Sequence, residues 1–268
     1  MGATIDINAP PIQAAVEPAA VGHVIVGGVD VARLDLEQTA QLMIALALAS
    51  TPRGRPYFFT SANGEVLARR HFDHEFAGLI DSADLVSADG QPLVLASRLL
   101  SQQALPERVA TTDLFPAVAR LAEAAGVSFY LFGGEEDANR AAFEAVRRAW
   151  PSLDIRGRSH GHLSEEALEQ KVAEIDALAP NILWVSLGVP LEQEFARRYG
   201  PRLKHVKIIK TSGGLLDFIG GVRRRAPLWM QQVGLEWAFR VGLEPRRLFW
   251  RYFTSNPVAM FLLLTQTS

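Results

Sequence analysis

The feature that most constrains the fold is an alternation along the chain, which begins at Val24. Short runs of β-branched and aromatic residues alternate with longer segments of helical period. Parallel strands joined by crossover helices produce this arrangement. The pattern therefore predicts an α/β fold, a Rossmann-like open parallel sheet flanked by helices, with a helical basic appendage at the C-terminal end.

The alternation also places the individual elements. Strands are predicted over 24–26, 57–60, 84–87, 127–132, 154–157, 182–187 and 206–210. Helical segments are predicted over 36–49, 65–80, 92–100, 114–125, 137–149, 165–179 and 191–199. Neither an internal repeat nor a linker rich in Gly, Ser or Pro divides the chain, so we expect one continuous sheet.

Composition narrows the class of protein. Of the 268 residues, 49% are apolar and 21% charged, and the net charge is −2. These values exclude a wholly disordered chain and give no global reason to expect a nucleic-acid binder. The sequence has no cysteine, which excludes disulfides, thiolate nucleophiles and cysteine-ligated zinc.

Neither a signal peptide nor a membrane span is expected. Residues 1–20 carry acidic residues and prolines without a basic start and apolar run. The apolar stretches 39–50 and 257–265 are too short to cross a bilayer. We expect a flexible tail over 1–20, an α/β core over 21–219, and an amphipathic membrane-associating arm over 220–268.

The C-terminal arm, residues 220–268, differs in composition from the core. Between Gly220 and Arg251, seven arginines outnumber two glutamates, a local charge of +5, and three of the five tryptophans fall here. Trp229, Val233 and Trp237 recur every four residues and would share one helix face. Such a segment suits an anionic membrane surface. A helix packed on the domain with its arginines in water is the alternative.

Candidate site residues lie in the loops after the strands, because ligands bind outside the carboxyl ends of parallel strands. Ser61 and Asn63 follow one predicted strand at a helix start. Asp89 follows the next strand and is placed to act as a general base. Each has a simpler interpretation: Ser or Asn there is typical of an N-cap, and Asp-Gly of a turn.

Glycine pairs follow two further strands. Gly133-Gly134 and Gly213-Gly214 would let backbone N–H groups approach a phosphate, and Gln193 lies on the helix after another strand. The first pair lacks the third glycine of a dinucleotide fingerprint and a Lys-Ser/Thr ending. The sequence has no Asp-x-Asp, no zincin histidine spacing and no Gly-x-Ser-x-Gly elbow, so we expect no resident metal or cofactor.

A set of short motifs follows in a fixed order along the chain. They are Asn63-Gly64-Glu65, Asp84-Leu85-Val86, Asp89-Gly90, Arg98, Pro106-Glu107-Arg108-Val109, Asp113-Leu114, Gly133-Gly134, Gly188-x-Pro190, Gly213-Gly214-x-x-Asp217-Phe218, Arg225-Ala226-Pro227, Gly234-Leu235-Glu236-Trp237 and Glu244-Pro245-x-Arg247. In this order they resemble the WecG/TagA/CpsF glycosyltransferases, glycosyltransferase family 26. The likeness covers about residues 24–257. Its most specific part runs from Arg225-Ala226-Pro227 to Glu244-Pro245-x-Arg247.

The resemblance implies an inverting, metal-independent transfer of a sugar from a UDP donor to a polyprenyl-pyrophosphate-linked saccharide. Such enzymes are cytoplasmic, act peripherally on the inner face of the cytoplasmic membrane, and serve cell-surface or exopolysaccharide biosynthesis. The candidate sugars are N-acetylmannosamine, its uronic acid, or a hexose or hexuronic acid. The partners implied are the two substrates and the membrane, with a possible homo-oligomer and no nucleic acid.

Carried over residue by residue, the resemblance makes Asp89 the base for the acceptor hydroxyl, with Asn63 and Ser61 beside it. It assigns donor binding to Gly133, Gly134, Gln193, Gly213, Gly214, Arg240 and Arg247. It assigns the membrane and the acceptor to Arg223, Arg224, Arg225, Trp229, Trp237 and Arg251. The sequence departs from the family pattern at several positions: Ser61 replaces Thr, Gly64 replaces Pro, Thr111 replaces Gly, and a residue is added before Gln193.

Two other classes of protein remain open. A nucleotide-binding oxidoreductase should carry the missing third glycine and an acidic residue about 20 positions on, and it would retain NAD on dialysis. A non-catalytic membrane-surface adaptor would bind anionic vesicles without any protection by UDP.

Overall fold

The computed structural model describes residues 17–50 and 53–268, apart from the side chain of Arg247. Its strands are β1 His23–Val26, β2 Val29–Ala32, β3 Tyr57–Ala62, β4 Leu85–Ala88, β5 Phe129–Gly133, β6 Ile155–Ser159, β7 Ile182–Ser186 and β8 Ile208–Thr211. Its helices are α1 Leu36–Leu48, α2 Gly64–Phe72, α3 His74–Asp81, α4 Gln91–Leu100, α5 Thr111–Ala125, α6 Glu136–Ala149, α7 Glu165–Leu178, α8 Leu191–Tyr199, α9 Leu215–Ile219, α10 Leu228–Gln232, α11 Glu236–Leu243 and α12 Pro245–Thr265.

The predicted α/β fold with an open parallel sheet is confirmed. Within the described residues, six strands form one parallel sheet in the order β4-β3-β8-β7-β5-β6. The register places Ser61 beside Ser87 and Phe59 beside Lys210. Helices cover both faces, which explains why the central strands are apolar along almost their whole length.

The expectation of one continuous sheet is wrong for the strand predicted over 24–26. That strand pairs antiparallel with β2, which the sequence analysis does not predict, in a separate hairpin. Gly27 and Gly28 form its two-residue turn with φ of 58° and 79°, backbone that glycine adopts without strain. Val24 and Val26 are buried on one side of the hairpin, so its apolar face packs against the domain.

The sheet carries an apolar core on each face. On one face, Phe59 and Trp184 pack against α5, where the Phe115 ring lies 4.8 Å from that of Trp184 in an edge-on arrangement. On the other face, Phe58 and Phe132 pack with residues of α7 and α8. These two layers hold the strands, and therefore the loops after them, in fixed positions.

Residues 1–16 of the predicted N-terminal tail lie outside the described residues. After Glu17, residues Pro18–Ala20 form a short 3₁₀ helix. The Tyr57 hydroxyl donates to the Glu17 carboxylate at 2.6 Å, which attaches this segment to the start of β3.

The expected single helix face of Trp229, Val233 and Trp237 is wrong. Helix α10 ends at Gln232 and α11 begins at Glu236. Between them Gly234 has a φ of 77°, which a continuous α-helix does not allow. The tryptophans therefore belong to two short helices.

The end of the C-terminal arm packs on the core, as the alternative interpretation expects. Leu262 and Leu263 of α12 join a buried cluster with Val26 of the hairpin and Leu67 of α2. The Gly28 N–H donates to the Gln266 carbonyl at 2.9 Å, which ties the arm to the hairpin turn. No helix in the described ranges is long and apolar enough to cross a membrane.

Candidate active site

The candidate site lies at the carboxyl ends of β3, β4 and β8. The strand order reverses direction within the sheet: β4 is added outside β3 at one side, and β6 is added outside β5 at the opposite side. Open α/β sheets bind ligands in the crevice that such a reversal of strand order creates at the carboxyl ends of the strands. The predicted residues Ser61, Asn63 and Asp89 are brought together at this edge, as the sequence analysis expects.

Asp89 is held by its backbone, while its carboxylate stays partly open. Its N–H donates to the Ala62 carbonyl at 2.9 Å, and its own carbonyl accepts from Arg108 Nε at 2.7 Å. The carboxylate Oδ1 lies 3.5 Å from Arg108 Nη2, and 27% of the side chain is exposed. An anchored, accessible carboxylate next to a cation meets the geometric requirement for a general base.

Gly90 allows β4 and β3 to end close together. A Cβ at this position would lie 3.3 Å from the Asn63 Cα, tighter than side chains ordinarily pack. Asn63 itself caps α2, because its Oδ1 accepts from the N–H groups of Glu65 and Val66 at 3.0 and 3.2 Å. The N-cap interpretation of Asn63 is therefore confirmed.

A buried lysine, which the sequence analysis missed, supports Ser61. Lys210 Nζ donates to Ser61 Oγ at 2.8 Å and to the Thr211 carbonyl at 2.9 Å, although Lys210 has no exposed surface. Burial lowers the pKa of Lys210 to about 8, against the raising effect of Asp89 and Glu192. The available signal was a lysine at the end of an otherwise apolar run.

Glu192 and Gln193 are also buried, below the loop after β8. Gln193 Nε2 donates to Thr60 Oγ1 at 3.3 Å, and no partner of its Oε1 is found among the described residues. Glu192 Oε2 accepts from the Gly213 N–H at 2.8 Å. Burial raises the pKa of Glu192 to about 7, although backbone N–H groups and Lys210 favour its charged form.

The glycine pairs differ from the expected phosphate cradle. A Cβ at Gly133 would lie 2.2 Å from the Ser186 carbonyl oxygen, so this glycine lets two strands approach. The Gly134 N–H donates to that same oxygen at 2.9 Å. Since the Gly213 N–H is bound by Glu192, two of the N–H groups predicted to receive a phosphate already have acceptors. Gly214 lies within reach of Arg223, whose Nη1 would be 3.4 Å from a Cβ there.

One carboxylate connects Asp89 to the C-terminal arm. Glu236 accepts from Arg108 at 2.8 Å and from Arg240 at 2.9 Å. Burial alone would raise the pKa of Glu236, but the two arginine charges outweigh it and lower the pKa. The Arg108 side chain that holds Asp89 is therefore fixed by a residue 128 positions away in sequence.

Most of the predicted arginines surround one cleft between α9, α11 and α12. Its volume is about 500 Å³. It is lined by apolar and charged side chains: Phe218, Val222, Arg223, Arg224, Arg240, Leu243, Glu244, Leu248 and Arg251. Four guanidinium groups around a volume of this size suit a ligand that carries phosphate.

The remaining predicted residues lie elsewhere. Arg225 forms two contacts with the Asp113 carboxylate, at 2.6 and 3.0 Å, and so ties the arm to α5. Trp229 and Trp237 are 59% and 40% exposed. The side chain of Arg247 lies outside what the structure describes. Within residues 17–50 and 53–268, no group of three or more His, Asp or Glu side chains is arranged to hold a metal ion.

An open parallel sheet with a carboxylate in a loop at the carboxyl ends of its strands is an architecture that α/β enzymes use. The chain belongs to the glycosyl transferase WecG/TagA/CpsF family, whose model matches residues 24–268. The resemblance stated from the motifs is thus confirmed, and the chain is a glycosyltransferase.

Two relatives illustrate the similarity. A Bacillus subtilis (strain 168) protein is 28% identical over 199 residues, which cover 74% of this chain and 75% of the relative. A Staphylococcus aureus (strain MRSA252) protein is 24% identical over 223 residues, covering 82% and 86%. Both are named N-acetylglucosaminyldiphosphoundecaprenol N-acetyl-beta-D-mannosaminyltransferase.

Proposed function

We propose that this chain transfers an N-acetylhexosaminyl or closely related sugar from a UDP-sugar to a polyprenyl-diphosphate-linked saccharide, with inversion at the sugar. The relatives' names supply the acceptor and sugar class. The observation that carries the proposal is Asp89, an accessible carboxylate fixed at the carboxyl end of β4 beside Arg108.

In this mechanism Asp89 removes the proton from the acceptor hydroxyl as the oxygen attacks the anomeric carbon. The new carbon–oxygen bond forms while the bond from the anomeric carbon to UDP breaks, and the proton ends on the Asp89 carboxylate. One base on the face opposite the leaving group is sufficient for inversion. Asn63 and Ser61 are placed to hold the reacting groups at this edge.

The leaving UDP gathers negative charge, and arginines of the C-terminal arm supply the opposite charge. Arg240 and Arg251 line the cleft together with Arg223 and Arg224. Guanidinium groups form strong, paired hydrogen bonds with diphosphate oxygens. Charge placed where it develops in the transition state lowers the barrier.

The arm also supports peripheral contact with the membrane that holds the lipid acceptor. Trp229, Trp250 and Phe253 are exposed by 59%, 67% and 63%. Aromatic rings favour the headgroup region, and arginines near an anionic surface contribute about 1 kcal/mol each. We propose the cytoplasmic face as the site of action because nucleotide sugars are available there.

Binding and transfer test the proposal together. Calorimetry in EDTA is expected to show UDP binding with an affinity that added magnesium or manganese changes by less than about threefold, because arginines bind the diphosphate. A panel of UDP-sugars with a short-chain N-acetylglucosaminyl-diphosphate lipid should then identify the donor by product formation. Binding that requires the metal would refute the metal-independent part. Retention of NAD, or vesicle binding without transfer from any UDP-sugar, would refute the glycosyl transfer itself.

A further inference from the structure

Two ionisable side chains buried beneath the site have no part in the mechanism above. Lys210 is fully buried and Glu192 is 3% exposed. Burying an ammonium group costs several kcal/mol unless the protein compensates it. A methionine would fill the same space on the strand at much lower cost, so the charge of Lys210 needs a functional explanation.

The position of Lys210 in the sheet directs its ammonium group toward the carboxyl ends of β3 and β8. Its neighbours in register are Phe59 on β3 and Trp184 on β7, so the methylene stem passes through the aromatic core. Its Nζ emerges at the carboxyl edge, where it donates to Ser61 Oγ and to the Thr211 carbonyl. The ammonium is thus held between the ends of β3 and β8.

This contact fixes the direction of the Ser61 hydroxyl. An ammonium group only donates hydrogen bonds, so Ser61 Oγ must accept from Lys210. The hydroxyl proton of Ser61 then points away from Lys210, toward Thr111 Oγ1 at 3.4 Å or toward an oxygen bound in the site. Ser61 becomes an oriented donor.

Arginines near the site are held by carboxylates. Glu236 binds both Arg108 and Arg240, and Asp113 binds Arg225. The hydrogen bonds of Lys210 go instead to a hydroxyl and a carbonyl. Its ammonium group therefore holds Ser61 and does not pair with a carboxylate in those bonds.

We infer that Lys210 is a positioning residue for transfer: its buried ammonium orients the Ser61 hydroxyl toward the reacting groups. This inference rests on the proposed function, because it places the reacting groups at the ends of β3 and β4, beside Ser61. The competing explanation is structural, with Lys210 serving only as the counter-ion that allows Glu192 to be buried.

The test compares transfer by the full chain and its variants Lys210→Met, Lys210→Gln and Ser61→Ala. The donor is the UDP-sugar found in the panel, and the acceptor is the short-chain diphosphate lipid. We expect kcat to fall by about 10- to 100-fold in Lys210→Met and less in Lys210→Gln, with UDP affinity within about twofold of the wild type. Added to Ser61→Ala, the Lys210→Met change should lower kcat no further, because Lys210 acts through Ser61.

The matched control is Lys207→Met. Lys207 precedes the same strand at its opposite end and donates to the Ala49 carbonyl at 3.2 Å, so its removal should leave kcat unchanged. Thermal unfolding establishes that each variant is folded. Lys210→Gln still carries a donor for Ser61, so it keeps the inference testable, alone and combined with Ser61→Ala, if Lys210→Met does not fold.

The double variant Lys210→Met/Glu192→Gln separates the two explanations. A counter-ion role predicts that removing both charges restores kcat, and that result would overturn the inference. A positioning role predicts that the double variant stays defective. A full further loss of kcat when a Lys210 change is added to Ser61→Ala would also overturn it. The Asp89→Asn variant in the same assay monitors the proposed function: if it transfers at the wild-type rate, that function fails first.

Discussion

The two halves of the site are built in different ways. At the sheet edge, Asp89 and Ser61 are fixed by strand register, backbone hydrogen bonds and a buried cation. In the C-terminal arm, short helices with exposed tryptophans are held to the core by ion pairs such as Arg225–Asp113 and Arg251–Glu65. The comparison teaches that the proposed base is positioned by packing, whereas the arginines proposed to bind the diphosphate are positioned by contacts that water and salt weaken.

The largest effect should come from the rigid half. Asp89→Asn is expected to lower kcat by about a hundredfold or more while UDP affinity and the melting temperature stay near the wild type, because only the proton acceptor is lost. Steady-state transfer and calorimetry check this. Asp137→Asn, at an exposed position on α6, is the control. An unchanged kcat in Asp89→Asn would contradict the role of base and leave Asp89 with a structural role in the Asp-Gly turn.

A smaller loss is expected in the arm. Arg240→Met should reduce kcat/KM by about tenfold to a hundredfold, because one charge is removed from the diphosphate cleft. Raising the salt concentration should weaken UDP binding in the wild type more than in the variant. Arg246→Met, an exposed arginine of the same arm, serves for comparison. Equal losses of kcat/KM in both variants would mean that the net charge of the arm, and not the position of Arg240 in the cleft, determines the rate.

The exposed aromatic residues test the membrane role of the arm. The double variant Trp229→Ala/Trp250→Ala is expected to weaken binding to anionic vesicles by about tenfold, because two rings leave the headgroup region. Sedimentation with vesicles measures it. Phe72→Ala removes an aromatic ring that is 72% exposed on α2, outside the arm, and should bind as the wild type does. A matching loss at Phe72 would place the membrane contact elsewhere.

The buried carboxyl predicts a pH effect on stability. Glu192 has a pKa of about 7 in the folded chain against 4.5 ordinarily, so the folded chain retains a proton that the unfolded chain releases between those values. The free energy of unfolding should therefore fall as pH rises across that window. Glu192→Gln should make this slope flatter in denaturant titrations. Glu194→Gln, exposed on the same helix, should retain it.

The sequence predicted what local periodicity encodes. The parallel strands and most helices follow from apolar spacing, and Asp89 and Asn63 follow from their place after strands. The β1–β2 hairpin was missed because β2 was not predicted, although Gly27-Gly28 between two short β-branched runs is a signal for a two-residue hairpin. The break at Gly234 was missed because the spacing of Trp229 and Trp237 fits one continuous helix. The positive φ of Gly234, which interrupts that helix, has no signal in the spacing.

The parts of the site that the sequence did not predict depend on contacts distant in sequence. Glu236 stood in a motif, but its pairing with Arg108 across 128 positions has no local signature. Lys210 lay at the end of the strand predicted over 206–210, and only the register beside Phe59 and Trp184 shows that its charge is buried. Charge burial depends on the assembled sheet and cannot be obtained from the order of residues along one strand.

The hydrogen bonds between the end of the arm and the hairpin turn make the arm a closed loop and not a free tail. It leaves the core after β8, and it returns there where Gln266 and Thr267 bind the backbone of Gly28 and Gly27. A segment anchored at both ends has lost most of its loop-closure entropy before any ligand arrives. Ordering the closed arm over the proposed diphosphate therefore costs less conformational entropy than ordering a free tail would. The anchoring also raises the effective concentration of the arm's arginines at the cleft.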